Sequence, residues 1–267
     1  MNISMHFLNT SRIKYLYSNY NTDTEIDIRT IISTNSTNLN LLSIAKTGLL
    51  FHPTFLATQI QTSGRGRAGR IWYSEPEITL TFSLAWKFKL SLQYLTSLPL
   101  VISLALSIAL KEFGQKVQLK WPNDLLLNGN KFCGILIDTF IDKKNNNSIW
   151  AIIGVGLNLG LPRILNNKIN IGNISELLKI EREKLLAVFI CYLIDALKLF
   201  EHYGFSIFIK YWNFNHAYTN QVVNILNLNK PQKGIVIGVE KNGCLLLDTK
   251  LGKIIISSGN VSLRLRK

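Results

Sequence analysis

"VQLKWPNDLLLNGNKFCGILID", residues 117–138, is the stretch that decides the architecture. Two apolar runs flank Asn128-Gly129-Asn130, a combination that marks a tight hairpin turn. Pro122 has no N–H to offer a ladder, so it breaks the first run just after Trp121. Strands joined by hairpins, rather than by regular helical crossovers, predict an α+β fold with a mixed sheet.

Outward from this hairpin the pattern holds. "IDIRTII" (26–32) reads as a strand running into "STNSTNLNLL" (33–42), where Ser, Thr and Asn offer helix N-caps. "PTFLATQI" (53–60), "ITLTFSLAW" (78–86) and "IWAIIGVGLNLG" (149–160) read as further strands, with "KKNNNS" (143–148) as a polar turn. "LPLVISLALSIAL" (98–110) is shorter than the roughly 20 residues of a membrane-spanning helix and predicts a buried core helix. Residues 173–203 open with an Asn173…Glu176 capping-box pattern and keep helical apolar spacing to Tyr203, predicting one long helix over the sheet. Beyond about Asn220 come short strands, "QVVNIL", "GIVIGVE", "GCLLLD" and "KIIISS", separated by Gly and Asn turns, the texture of a small β-barrel domain. The first 26 residues read as a polar lead-in.

Composition bounds the function. With 47 % hydrophobic residues, the 267-residue chain can bury a substantial core and is not disordered. Thirty Lys+Arg against sixteen Asp+Glu leave +14, which is compatible with nucleic acid, an acidic surface or an anionic ligand. Most lysines are scattered, whereas the arginines cluster. Cys133, Cys191 and Cys244 are far apart and form no CxxC pair, so the sequence suggests neither a zinc site nor a disulfide framework, and a cytoplasmic location is expected. No signal peptide or membrane span is read.

The arginine cluster lies in "QTSGRGRAGRIW", residues 61–72. Gly64, Gly66 and Gly69 satisfy GxGxxG, but Pro76 stands where the dinucleotide-binding helix would be under way, and no Gly-Lys-Ser/Thr follows to make a phosphate-binding Walker loop. What remains is a loop whose glycines permit close backbone approach while arginine forks grip carboxylate or phosphate, or else a solvated basic loop without a ligand.

"QTSGRGRAGRIW" resembles the glycine-arginine signature of the biotin protein ligases. "STN" before a leucine pair, "KWPND" followed by "NKFCGILID", "IGVGLNLG" and the terminal "VSLRLR" stretch resemble the same family, in order, over residues 27–267. The resemblance implies a catalytic domain over 27–219, similar to class II aminoacyl-tRNA synthetases and biotin-lipoate ligases, with an SH3-like domain over 220–267. It implies that biotin and ATP with Mg2+ give biotinyl-AMP and pyrophosphate, and that the acyl group passes to a lysine of the biotin carboxyl carrier protein of acetyl-CoA carboxylase. A carboxylate attacking a phosphate brings negative charges together, so cationic neutralisation and positioning should dominate.

By motif matching, Ser36, Thr37 and Asn38 face the ureido ring of biotin, and Gln61, Gly64, Arg65, Gly66, Arg67, Lys131 and Gly134 complete its site. Arg67, Arg70, Trp72, Asn123, Asp124 and Asn158 fall to the nucleotide. Ser33-Thr34-Asn35 offers a second "STN", but only the later triplet has the family spacing to the leucines. Lys131 matches the lysine that bridges biotin's carboxylate and the phosphoryl group, with Arg67 and Asp124 beside it as catalytic residues. By residue type alone Lys131 could be a solvent-facing hairpin lysine, and Trp72 and Trp121 could be core rather than pocket wall. Asn158 could equally cap a strand. For Asp124 three roles stay open: orienting Lys131, assisting the metal, or serving as base for the incoming amine; its metal ligands are not readable. Two departures stand out, Ala68 where the family usually has a further arginine and Asp138 where it has glutamate.

The 26 residues before the catalytic region are too few for a helix-turn-helix domain, so no operator binding is expected. A homodimer through the sheet is a family property. The rival readings are a lipoate or octanoate ligase or transferase of the same superfamily and, in another class, a non-catalytic RNA-binding protein.

Overall fold

The computed structural model describes residues 7–20, 23–143, 148–165, 171–226, 232–257 and 262–265. In chain order these form α1 (Thr10–Ser18), β1 (Asp27–Thr34), α2 (Thr37–Thr47), β2 (Thr54–Gln61), the short strands β3 (Gly64–Arg65) and β4 (Ile71–Trp72), β5 (Thr79–Phe88) and α3 (Leu98–Lys111). Then follow β6 (Gln118–Lys120), β7 (Asp124–Leu127), β8 (Asn130–Asp142), β9 (Ser148–Asn158), α4 (Arg182–Tyr203) and α5 (Ile209–Asn215). The chain ends in β10 (Val222–Leu226), β11 (Gln232–Val239), β12 (Leu245–Thr249), β13 (Gly252–Ile256) and β14 (Ser262–Leu265).

The main sheet runs β1-β2-β5-β9-β8-β7-β6, parallel only between β1 and β2. It is mixed, as the hairpin at Asn128-Gly129 implies. Asn128 and Gly129 both have positive φ, 51° and 77°, matching the turn that follows strand twist. Alternation along the central strands divides the two faces. Leu80, Phe82, Leu84, Trp86 and Phe88 of β5 point with Ile149, Ala151, Ile153 and Val155 of β9 into one large core, beneath α1, α3 and α4. The intervening residues, Ala85, Trp150 and Ile152, meet Leu41 and Ala45 of α2 in a smaller core on the opposite face. On that second face Ser83, Gly154 and Gly156 occupy the next positions of the same alternation. The start of α2 covers Ser83 and Gly154, and Trp72 covers Gly156.

The apolar run ending in α3 passes for a membrane span by length and composition, but two-thirds of its window is buried inside the protein, which makes it the core helix expected. The C-terminal strands, expected as a small barrel, form a five-stranded antiparallel sheet ordered β13-β12-β11-β10-β14. The turn expected at 143–148 lies mostly outside the described residues.

Three expectations need correction. The lead-in contains a helix: Asn9 caps α1 by accepting from Arg12 N at 3.0 Å, and Ile13 is fully buried. Nine residues are too few to hold a helix by propensity, and α4 supplies the rest. Arg12 grips Glu181 through two bonds of 2.7 and 3.0 Å, and Asn9 N–H donates to Glu183 at 3.0 Å. The long helix also starts later than expected. Residues Ser175–Lys179 make only a 3₁₀ turn, Ile180 is extended, and α4 begins at Arg182 rather than at the Asn173 box. The arginine-glycine segment, read as loop throughout, carries the β3–β4 pair at its ends, Gly64 opposite Trp72 and Arg65 opposite Ile71.

Candidate active site

A cavity of about 250 Å³ opens on the α2 face of the sheet. Its floor is the row of small residues on the central strands. A Cβ at Gly154 would overlap the side-chain oxygen of Asn38, and one at Gly156 would overlap the indole of Trp72. Glycine at these two positions is what lets α2 and the arginine segment close on the sheet.

One end of the cavity is built by the start of α2. Ser36 is the N-cap, accepting from Leu39 N at 3.4 Å. Thr37 N–H donates to Gln61 Oε1 at 3.0 Å, tying the helix start to the last residue of β2. Asn38 is almost fully buried, and its amide nitrogen faces Leu136 O at 3.2 Å, Asp138 Oδ2 at 3.0 Å and Ile152 O at 3.4 Å. Its oxygen faces Ser83 Oγ at 2.7 Å. The polar atoms of Asn38 are therefore consumed by the protein, and the hydroxyls of Ser36 and Thr37 are the groups at this end with hydrogen-bonding capacity left for a ligand.

The other end is cationic. Arg65, Arg67, Arg70, Lys120, Lys131 and Arg264 line the cavity, and Asp124 is the carboxylate among the described lining residues. Lys131 Nζ lies 2.6 Å from Asp124 Oδ1 and 5.8 Å from the centre of the Trp72 ring. Arg65 faces Asp138 at 3.5 Å, and Arg67 Nη1 donates to Asn123 Oδ1 at 3.1 Å. Asn123 is itself held by donating to Ile135 O at 2.6 Å. Burial lowers the pKa of Arg67 from its ordinary value, opposed by the charge of Asp124. Lys120 is pushed down to about 8, chiefly by burial and against the pull of Asp124. Cations in such excess over carboxylates, around the buried Lys120, make this end a receptor for an anion.

The arginine segment closes on itself through Gly66 N–H to Arg70 O at 2.7 Å, with Ala68 and Gly69 both left-handed, at φ 55° and 71°. Ala68 thus stands at a turn position that non-glycine residues adopt only at a cost. Gly64 does not line the main cavity; it backs Trp72, whose carbonyl and Gln61 Nε2 fill the space beside its Cα. Gly66 and Gly134 line it, and a Cβ at Gly134 would stand 3.1 Å from Lys131 Nζ. Asn158, at the end of β9, donates to Gly172 O at 3.2 Å and leaves its oxygen buried without a hydrogen-bond partner among the described residues. Trp72 is partly exposed pocket wall, whereas Trp121 is core that also reaches the cavity, its Nε1 donating to Gly243 O at 3.0 Å.

Three lining or supporting residues escaped the sequence reading. Lys120 was visible as the lysine of "KWPND", at a buried strand position where a lysine is rare without a purpose. Ser83 was visible only as a hydroxyl in an apolar strand. Arg264 comes from β14, in the second sheet, so that the C-terminal strands reach the same cavity.

This geometry agrees with what the chain resembles. Residues 30–158 match the model of the biotin/lipoate A/B protein ligase family. The bifunctional ligase/repressor BirA of Escherichia coli is 32 % identical over 218 residues, covering 80 % of this chain and 67 % of BirA. The biotin–[acetyl-CoA-carboxylase] ligase of Mycobacterium tuberculosis is 32 % identical over 139 residues, 48 % of either chain. The structure of the Aquifex aeolicus biotin protein ligase in complex with biotin and ATP superimposes with a TM-score of 0.75 at 28 % identity, over 90 % of this chain and 99 % of that one. Sequence likeness, fold and a cavity with one polar and one cationic end agree: the chain belongs to the biotin protein ligases of the biotin/lipoate A/B protein ligase family.

Proposed function

We propose that this cavity activates biotin with ATP and delivers it to a protein lysine. One observation carries the reading: a single cavity joins a hydrogen-bonding end at Ser36–Asn38 to a cationic end around Asp124. The polar end takes the fused ureido ring, and the cationic end takes the carboxylate and the phosphates. Biotin's carboxylate oxygen attacks the α-phosphorus, the bond to the β-phosphate oxygen breaks, and pyrophosphate leaves. Lys131 stands where the two anions meet, held by Asp124, while Arg67, braced by Asn123, and Lys120 offset the charge that builds on the phosphates. Arg65 and Arg70 close the arginine segment over the mixed anhydride and keep water from it. The acceptor amine then attacks the acyl carbon, AMP leaves, and the amine's proton passes to a base within reach, for which Asp124 is the nearest carboxylate in the wall.

Among the described residues no three His, Cys, Asp or Glu side chains group as a metal cage. Asp124, the carboxylate among the described lining residues, would be the side chain to meet a magnesium ion brought in with ATP, and the ion would supply further neutralisation of phosphate charge. The acceptor we assign is the lysine of a biotin carboxyl carrier protein, the class that the name of the mycobacterial relative implies. Cys133, Cys191 and Cys244 are free thiols, which suits the reducing cytoplasm.

The test is biotin-dependent pyrophosphate release and capture of biotinyl-AMP, with Lys131→Ala and Arg67→Ala in parallel. Adenylate from wild type and none from the variants is the expected result. Turnover of ATP with lipoate or octanoate but not with biotin would replace the substrate and keep the chemistry.

A further inference from the structure

Ser83 lies in the middle of β5, fully buried, directly beneath the start of α2. Its hydroxyl oxygen is 2.7 Å from Thr37 Oγ1 and 2.7 Å from Asn38 Oδ1. One proton cannot serve both contacts. The amide of Asn38 can face only one way, because its nitrogen side meets three acceptors, Leu136 O, Asp138 Oδ2 and Ile152 O. Asn38 Oδ1 is therefore a pure acceptor, and Ser83 must give it the proton.

That assignment propagates. With the Ser83 proton committed, two lone pairs would face each other at 2.7 Å unless the Thr37 proton fills that contact. Gln61 Oε1, 3.3 Å from Thr37 Oγ1, is the weaker alternative and already receives the Thr37 N–H at 3.0 Å. The protons thus run Thr37 to Ser83 to Asn38 to Asp138, ending on a carboxylate that Arg65 faces at 3.5 Å. Thr37 Oγ1 is left with a lone pair, and no proton, for the cavity that it lines.

We propose that Ser83 is a positioning residue for substrate choice: by holding the Thr37 proton it makes that hydroxyl an obligate acceptor, matched to a ring N–H of a cyclic urea. The inference rests on the biotin-ligase reading above and deepens it. A urea ring brings N–H donors, whereas the chain of a plain fatty acid or the disulfide ring of lipoate brings none. A Thr37 hydroxyl that can only accept disfavours such ligands, because its lone pair is left unpaired.

The experiment measures pyrophosphate release with biotin and with the two cyclic carbamate analogues, each having one ring N–H replaced by oxygen. It uses wild type, Ser83→Ala and Ser83→Thr, with melting temperatures for all three. Wild type is expected to disfavour one carbamate by about tenfold or more in KM, the cost of an unpaired buried acceptor. In Ser83→Ala the freed Thr37 proton can turn into the cavity, so KM for biotin rises about tenfold, kcat stays within about twofold, and discrimination against that carbamate shrinks to about threefold or less. Ser83→Thr, which keeps the hydroxyl, restores the wild-type pattern. A folded Ser83→Ala that discriminates as wild type does, or a wild type that accepts both carbamates as readily as biotin, overturns the inference while leaving the ligase reading intact. A wild type inert with biotin overturns the ligase reading itself.

Discussion

Lys131 Nζ and Asp124 Oδ1 meet at 2.6 Å because of one extra residue in a hairpin. Asp124 pairs with Gly134 and Leu125 with Cys133, but Leu126 pairs with Lys131, so Phe132 is the bulged residue. Without the bulge, Lys131 and Gly134, three apart, would face opposite sides of β8. With it, both face the cavity and Asp124, while Phe132 and Cys133 are buried.

If this pair acts as a unit, its variants should not add. Lys131→Ala is expected to lower kcat for adenylate formation by about 10²–10³-fold, the scale of losing one transition-state cation or donor. Asp124→Asn should lose part of that, and the double variant no more than Lys131→Ala alone. Melting temperatures should shift little, since a partly exposed ion pair contributes about 1 kcal/mol or less. Single-turnover kinetics of the four proteins check this; additive losses would assign Asp124 a separate step.

Asn123 accepts from Arg67 at 3.1 Å and donates to Ile135 O, which fixes it beside that arginine. Asn123→Ala should raise KM for ATP by about tenfold, the scale of one hydrogen bond to a charged group, with KM for biotin nearly unchanged. Steady-state kinetics with each substrate varied decide it. An equal rise in both constants would mean that the whole cavity had shifted.

Gly156 carries no Cβ where the Trp72 indole rests. Gly156→Ala should displace that ring at a cost of about 1–3 kcal/mol, as overpacking does. The expected readout is a rise in KM for biotin of about 10- to 100-fold and a blue-shift or intensity change in Trp fluorescence. Unchanged kinetics would show that the indole is not part of the binding surface.

Lys120 gives a pH dependence with a definite sign. Its pKa is lowered to about 8 from 10.5, so below about pH 8 it is protonated in both folded and unfolded chains and the burial penalty is constant. From about pH 8 to 10.5 the unfolded chain holds more protons, so stability rises with pH through this window. Lys120→Met should remove that rise, a difference on the order of 1–3 kcal/mol between the two proteins across the window. Denaturant titrations at pH 7.5 to 10.5 measure it; parallel curves would place Lys120 in solvent-like surroundings. The same variant should weaken ATP binding at pH 7, where the lysine is charged.

Much of this site could be read before any coordinates. The Asn128-Gly129 turn, the N-cap at Ser36 and the strands around the glycine-arginine segment rest on local rules, positive φ, capping and period-2 burial, that a chain obeys wherever it is. Of the residues matched by motif, all but Gly64 line one cavity. The unread helix at the N-terminal end shows why the rest was not legible. Helix α1 is held by packing on α4, where Ile13 is buried and Arg12 and Asn9 reach Glu181 and Glu183, partners about 170 residues away that its own segment does not reveal.

By itself the sequence determined which residue types were available: the cations, the small residues of the strands, the hydroxyls and amide at the start of α2. Only the tertiary structure decided which of them meet. The parity of β8 depends on a bulge that pairing with β7 creates. The direction of the Thr37–Ser83–Asn38 protons depends on carbonyls from β8 and β9, about 100 residues away along the chain. The depressed pKa of Lys120 depends on how much of the molecule closes over it. Register, proton order and burial are properties of pairs of segments, and a residue's neighbours in sequence do not set them.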